Sequence, residues 1–168
     1  MFFRKATMLD SAAVTAIYDG ARRILKESGI PQWQEGVPGR ESFISDVQSG
    51  VSYVLEDEGK VIATVQIIER EPYYENMISG EWTEESALVA HRVAVSNENR
   101  KKGVGSLILQ YAEEIALQRG KKAVRLDTHE LNYRMRGMLE KNGYKAVGTV
   151  RMPDGSPRVA YEKLLGEN

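Results

Sequence analysis

A short stretch with two glycines, placed between a strand pattern and a helix pattern, constrains the fold of this chain most. It reads Arg100-Lys101-Lys102-Gly103-Val104-Gly105 and follows a strand-like apolar run over 88–95. Apolar residues then recur at three- and four-residue steps over 104–118, which predicts an amphipathic helix that Gly120 ends. Glycines permit a tight turn, and the amides and positive dipole at a helix start attract anions. The pattern therefore predicts a strand, a phosphate-binding turn and a helix.

Two well-known phosphate loops do not fit this stretch. The nucleoside-triphosphate loop needs G-x-x-x-x-G-K-[ST], whereas here the basic residues precede the glycines and Ser106 follows them. The dinucleotide fingerprint needs a third glycine at the position that Ile108 occupies. The stretch instead resembles the R/Q-x-x-G-x-G/A signature of the GNAT superfamily, the acyl-CoA-dependent N-acyltransferases.

A second stretch extends the resemblance to essentially the whole chain. From residue 132 the family pattern is N-x-x-A-x-x-L-Y-E-K-x-G-F. Along that pattern this chain has Asn132, Met135, Met138, Leu139, Glu140, Lys141, Gly143 and Tyr144. Leu139 stands where the family has a tyrosine that often protonates the leaving thiolate, so we assign no general acid.

Composition limits the class of protein. At 168 residues we expect a single domain over 1–168, and the absence of cysteine excludes disulfides and thiolate chemistry. The net charge is −1, from 23 Lys and Arg against 24 Asp and Glu, which argues against nucleic acid or an anionic membrane as a partner. With two histidines and no signal-peptide or membrane-span pattern, we expect no metal and a cytoplasmic location. A homodimer is left open.

Patterning along the chain predicts the element order β-α-α-β-β-β-α-β-α-β-β. This is an α/β fold of the mixed-sheet (α+β) kind, and it matches the GNAT topology. Predicted strands cover 2–7, 51–56, 60–68, 86–95, 123–126, 144–150 and 158–164. Predicted helices run from Ser11 to the Gly29 region and over 40–48, 104–118 and 132–141. Residues 69–85 are predicted to be a long loop, and Asp57-Glu58-Gly59 a hairpin turn.

The resemblance implies that acetyl-CoA is the co-substrate and indicates which residues bind it. The expected pyrophosphate-binding residues are Arg100, Lys101, Lys102, Gly103, Val104, Gly105 and Ser106. Backbone groups of Val93, Ala94 and Val95 are expected to pair with the pantetheine amides. Asn132 is a helix N-cap by propensity, and in this family it commonly also contacts the pantetheine or phosphate portion of the cofactor.

His91 is the candidate general base. Strand alternation places it on the face of Val89, opposite Arg92 and Ala94, and an imidazole has a pKa of about 6.5. A partly buried structural histidine is the alternative. His129 is a weaker rival for base or acceptor contact.

Glu85 and Trp33 are two further candidates for contact with the acceptor. The alternatives are a solvated turn for Glu85 and a core-capping indole for Trp33.

The resulting hypothesis is an N-acetyltransferase in which a primary amine of a small molecule or peptide attacks the thioester directly. The alternative is a non-catalytic CoA-binding module of the same fold. The identity of the acceptor does not follow from the sequence.

Overall fold

The computed structural model describes residues 1–166, and this part contains eight strands and four α-helices. The strands are β1 (Phe2–Lys5), β2 (Ser52–Asp57), β3 (Lys60–Ile68), β4 (Met77–Gly80), β5 (Ala87–Val95), β6 (Ala123–Thr128), β7 (Lys145–Arg151) and β8 (Pro157–Leu164). The helices are α1 (Ser11–Glu27), α2 (Arg40–Gln48), α3 (Val104–Gln118) and α4 (Tyr133–Lys141). The predicted mixed α/β class is confirmed.

The chain divides into two compact units. Unit one contains residues 1–67 and 92–108, and unit two contains residues 68–91 together with the described residues from 109 onward. The hydrogen-bonded strand order is β1-β2-β3-β5 in the first and β5-β6-β8-β7-β4 in the second, since β5 contributes residues to both. The single domain expected over 1–168 stays a prediction.

Unit one is built on antiparallel β1, β2 and β3. The turn between β2 and β3 has left-handed φ values of 48° at Glu58 and 78° at Gly59, the requirement of a tight two-residue hairpin turn. The predicted hairpin is therefore confirmed. The core of unit one consists of Ala6, Val14, Ile17, Tyr18, Ala21, Phe43, Val54 and Ala94.

Unit two contains the parallel pair β5 and β6, followed by antiparallel β8, β7 and β4. In the register of β6 and β8, Asp127 lies opposite Ala160 and Thr128 opposite Val159. Leu139 of α4 is fully buried, as is Tyr144, whose hydroxyl donates to Glu113 of α3 at 3.0 Å. The sheet of unit two positions the side chains of the candidate site.

The loop predicted over residues 69–85 is wrong in part. A short 3₁₀ helix covers Pro72–Glu75, and β4 pairs with β7, so the predicted element order lacked one strand. Only four residues form β4, and their sequence has no alternation of apolar and polar residues. Pairing with β7 stabilises β4, and that contact leaves no local pattern in the sequence.

Candidate functional site

The 100–106 loop forms a turn that ends in a helix start, as the sequence predicts. Lys101 and Gly103 have left-handed φ values of 62° and 77°, and α3 begins at Val104. A Cβ placed on Gly103 would have no heavy atom within 4 Å, so the space beside it is open. Lys101 and Lys102 are exposed. Amides of a first helical turn have no acceptor within their helix, so this end of α3 can bind an anion.

Strand β5 has an unusual backbone at Arg92. Its φ of 56° lies in the left-handed region, which costs a non-glycine residue about 1–2 kcal/mol. In unit one the guanidinium forms an ion pair with Asp46 of α2, and Gln66 donates to the other oxygen of Asp46 at 2.8 Å. Because Asp46 is buried, this pair holds the Arg92 side chain in place directly before Val93. Ala94 lies in the core of unit one, so its side chain is not available to a ligand.

In unit two His91 lies between two carboxylates. Its Nε2 is 3.1 Å from Oε2 of Glu71, and its Nδ1 is 3.5 Å from Oδ2 of Asp127. The Tyr73 hydroxyl is 3.4 Å from Nε2 of the same ring. A neutral imidazole has one N–H and can donate to one carboxylate, whereas an imidazolium can donate to both. We call His91, Glu71, Tyr73, Tyr74 and Asp127 the His91 cluster.

Two tyrosines hold Asp127 in place. The hydroxyls of Tyr73 and Tyr74 both donate to its Oδ2, at 3.0 and 2.5 Å. Burial, and after it the charge of Asp127, raises the pKa of Tyr73 far above its ordinary value, and the same causes raise the pKa of Tyr74. Both hydroxyls therefore keep their protons at neutral pH. The carboxylate has a fixed orientation toward the imidazole.

Trp82 covers the cluster on one side. Its Nε1–H donates to the backbone oxygen of Tyr74 at 2.7 Å, and the two rings lie 5.1 Å apart. The guanidinium of Arg125 lies 4.5 Å from the centre of the Trp82 ring and pairs with buried Glu162 at 3.3 Å. These contacts tie the segment after β3 to β6 and β8.

A cleft of about 430 Å³ adjoins the cluster, and Tyr73 belongs to both. Its lining residues are Tyr73, Asn76, Met77, Ile78, Arg151 and Met152. Apolar side chains of β4 and of the segment after β7 provide most of the wall, and one arginine adds a positive charge.

The other predicted site residues lie outside the His91 cluster. Asn132 caps α4, because its Oδ1 accepts from the Met135 amide at 3.2 Å. Nδ1 of His129 accepts from the Leu131 amide at 3.1 Å, and burial, followed by the charge of Arg158, lowers the pKa of His129.

Glu85 and Trp33 have surroundings that fit their alternatives. The Glu85 side chain is exposed. Trp33, in unit one, packs on the core there and meets Tyr18 edge-on at 6.0 Å. Whether either residue contacts an acceptor stays a prediction.

Sequence reasoning did not identify Glu71, Tyr73, Tyr74 or Asp127 as site residues. Three of them belong to the segment predicted as a loop, where the adjacent tyrosines after Pro72 were the one local signal. Asp127 is the fifth residue of a strand whose apolar pattern ends at Leu126. The cluster depends on the packing of this segment over β5 and β6, which no spacing in the sequence encodes.

Residues 1–166 contain neither a metal-type cluster nor a helix suited to a bilayer. No group of three or more His, Cys, Asp and Glu side chains in this part is arranged to hold a metal ion. None of its helices has both the length and the apolar character that a bilayer span requires.

A family model described as the acetyltransferase (GNAT) family matches residues 18–144. The matched stretch includes the 100–106 loop, the whole His91 cluster and Asn132, and it draws residues from both units.

Individual proteins are also similar. The uncharacterized N-acetyltransferase YesJ of Bacillus subtilis is 22% identical over 158 residues, which cover 93% of this chain and 86% of YesJ. The crystal structure of a GNAT-family acetyltransferase from Streptococcus agalactiae superposes with a TM-score of 0.87 at 29% identity, covering 99% of this chain and 96% of that chain. The crystal structure of a GNAT-family acetyltransferase from Listeria monocytogenes superposes with a TM-score of 0.73 at 22% identity, covering 98% of this chain and 94% of that chain. This likeness shows the fold alone.

Proposed function

Because the chain belongs to the acetyltransferase (GNAT) family, we propose that it is an N-acetyltransferase that moves an acetyl group from acetyl-CoA to a primary amine. The observation that supports this proposal best is the His91 cluster. Two carboxylates flank an imidazole there, next to a cleft large enough for a small molecule. Carboxylates attract an ammonium group, and the imidazole or a carboxylate can take its proton.

The 100–106 loop is the proposed site for the CoA pyrophosphate. Its support is the pair of left-handed residues, the exposed lysines and the start of α3. Backbone groups of Val93, Ala94 and Val95 would pair with the pantetheine amides, and Asn132 would contact the cofactor while it caps α4. Acetyl-CoA supplies the activated acetyl group when bound.

Proton removal is the proposed task of His91. An acceptor arrives as an ammonium ion and attacks only after it loses a proton. Either His91 or Glu71 would accept that proton, and Asp127 orients the imidazole. A new carbon–nitrogen bond then forms at the acetyl carbonyl and the carbon–sulfur bond breaks. The second proton of the amine passes through water to the leaving thiolate. Leu139 supplies no acid, since it is an aliphatic side chain in the core.

An acceptor screen that follows release of free CoA tests the proposal. With a true acceptor, His91→Gln should lower turnover about 10²-fold and leave the affinity for CoA nearly unchanged. The pH profile of turnover should also differ between the two proteins, because the variant lacks the imidazole that accepts the proton. Equal rates for the two proteins from about pH 6 to 9 would assign His91 a structural role and leave Glu71 or water to take the proton.

A non-catalytic CoA-binding module is the second candidate. Leu139 favours it, because the usual tyrosine acid is absent at that position. Tight binding of CoA together with no thioester consumption for any amine of a broad panel would support this candidate over the enzyme.

A further inference from the structure

Arg158 of β8 is a buried cation. The edge of its guanidinium that Nε and Nη2 form has no hydrogen-bond partner among residues 1–166. The residue is 7% exposed. Its two hydrogen bonds both use Nη1, which donates to Oγ of Ser156 at 3.3 Å and to the backbone oxygen of Pro157 at 3.0 Å. The guanidinium forms no direct ion pair among residues 1–166; Asp154 interacts with its charge at longer range, and Ser156 is hydrogen-bonded to both side chains. Neither Nε nor Nη2 is fully shielded from solvent.

The position of Arg158 in the sheet brings it to the face that carries the His91 cluster. It lies opposite Val150 of β7, which in turn lies opposite Met77 of β4, and residues paired in this way share a face. Val150 and Ala160 pack with Tyr74 on this face. Asp127 is paired with Ala160, two residues along β8 from Arg158. Such diagonal neighbours are about 7–8 Å apart between Cα atoms.

Electrostatics agree with this placement. The charge of Arg158 is a cause of the lowered pKa of His129, after burial. It also acts on the Tyr73 hydroxyl, where it partly opposes the increase in pKa that burial and Asp127 produce. The positive charge is therefore close to both the cluster and the cleft that Tyr73 lines.

A guanidinium that is largely removed from water gains from a well-placed opposite charge in direct contact with it. The open edge of Nε and Nη2 has the fork geometry that binds a carboxylate through two parallel hydrogen bonds. The nearest acids of the cluster are already engaged, Asp127 by two tyrosines and Glu71 by His91. A carboxylate of a ligand can therefore supply the direct partner that this edge lacks.

We propose that Arg158 binds the carboxylate of the acceptor, whose amino group lies at the His91 cluster. The acceptor class is a free amino acid or a close analogue, because Arg158 and Asp127 are diagonal neighbours on one face of the sheet, with Cα atoms about 7–8 Å apart. Its side chain is apolar and enters the cleft beside Met77, Ile78 and Met152. This inference rests on the proposed function for the fate of the amine but concerns binding rather than turnover.

Calorimetry on protein saturated with CoA tests the inference without turnover. The ligands are the twenty standard free amino acids and their carboxamides, in which an uncharged amide replaces the carboxylate that Arg158 is proposed to bind. We expect at least one amino acid with an apolar side chain to bind about tenfold or more tightly than its amide, since a site built for a polar group rejects the analogue that lacks it. Arg158→Gln should abolish this preference, and Arg158→Lys should retain part of it.

Arg134→Gln is the control variant, because Arg134 is an exposed arginine on α4 of the same unit. It should keep the preference for the acid. Equal binding of every acid and its amide to the wild type would overturn the inference. The inference also fails if Arg158→Gln leaves the ratio unchanged, or if this variant weakens CoA instead, which would assign the guanidinium to a cofactor phosphate.

The outcomes for the two proposals are separable. Binding of an amino acid through Arg158, together with no release of CoA from acetyl-CoA for any amine of the acceptor screen, would refute the proposed enzyme and support this binding site. Rapid acetylation of amines with and without a carboxylate at equal efficiency would support the proposed enzyme and refute this binding site.

Discussion

Strands β4 and β7 approach each other so closely that a single methyl group should disturb them. Gly80 lies opposite Gly148 in the register. A Cβ on Gly148 would be 2.1 Å from the backbone oxygen of Ser79 and 2.9 Å from Cα of Gly80. Ordinary contact begins at 3.4 Å. Because both neighbours are backbone atoms, no change of rotamer relieves the clash.

The expected loss for Gly148→Ala is about 2 kcal/mol. Overpacking of a tight contact costs about 1–3 kcal/mol, and each strained ladder hydrogen bond between the strands forfeits about 1 kcal/mol. The alanine also restricts the unfolded chain, which returns about 0.4–1 kcal/mol. In a protein of this size the net loss corresponds to a decrease in Tm of about 4–8 °C.

Urea unfolding followed by far-ultraviolet circular dichroism measures this loss, and Gly137→Ala is the matched control. Gly137 lies inside α4 with no atom within 4 Å of the position of a Cβ. The same substitution there should stabilise the protein by about 0.5–1 kcal/mol, because alanine is the better helix former. If Gly148→Ala unfolds at the same urea concentration as the wild type or higher, the close approach of β4 and β7 is refuted.

Three further predictions concern charge and cofactor. The Arg4 hydrogen bonds lower the pKa of Asp10, so its carboxylate stabilises the fold above the unfolded pKa of about 3.9 and loses this effect as pH falls through the folded value. Asp10→Asn should therefore lower the free energy of unfolding by about 1–3 kcal/mol at neutral pH and make it fall less steeply on acidification. Urea unfolding at pH values above and below the carboxyl pKa measures both effects. A variant with the pH profile of the wild type would contradict this. Gly103→Val should weaken CoA at least about tenfold by calorimetry, because φ at 103 is left-handed and a side chain would enter the open space of the loop. CoA should raise Tm more than ATP does at equal concentration, and stronger protection by ATP would count against the family's cofactor.

Local patterns determined much of the fold. Helices α2 and α3 and strand β3 begin and end at the predicted residues, since apolar periodicity and adjacent breakers coincide there. The 100–106 loop was also predictable, because the strand, the glycines and the helix start that define it follow one another in the chain. Asn132 caps α4 as its propensity indicates.

Features that depend on tertiary contacts were not predictable. The sequence singled out His91, but its partners Glu71 and Asp127 come from the segment after β3 and from β6. The left-handed backbone at Arg92 has no sequence signal either, because arginine avoids that conformation unless a partner such as Asp46 holds it. The open edge of Arg158 follows from the register of β8, which only the folded sheet defines.

The fluorescence of Trp82 can report on the state of the His91 cluster. The indole donates to the backbone of Tyr74, whose hydroxyl is bonded to Asp127, so displacement of the Tyr74 ring changes the polarity around the indole. Its emission wavelength would then shift when an amine enters the His91 cluster. The sequence has one other tryptophan, Trp33, which is itself a candidate acceptor contact, so Trp33→Phe is measured beside the wild type to assign the emission of Trp82. Acceptor binding can then be followed in real time without a label, a coupled enzyme or any acetyl transfer.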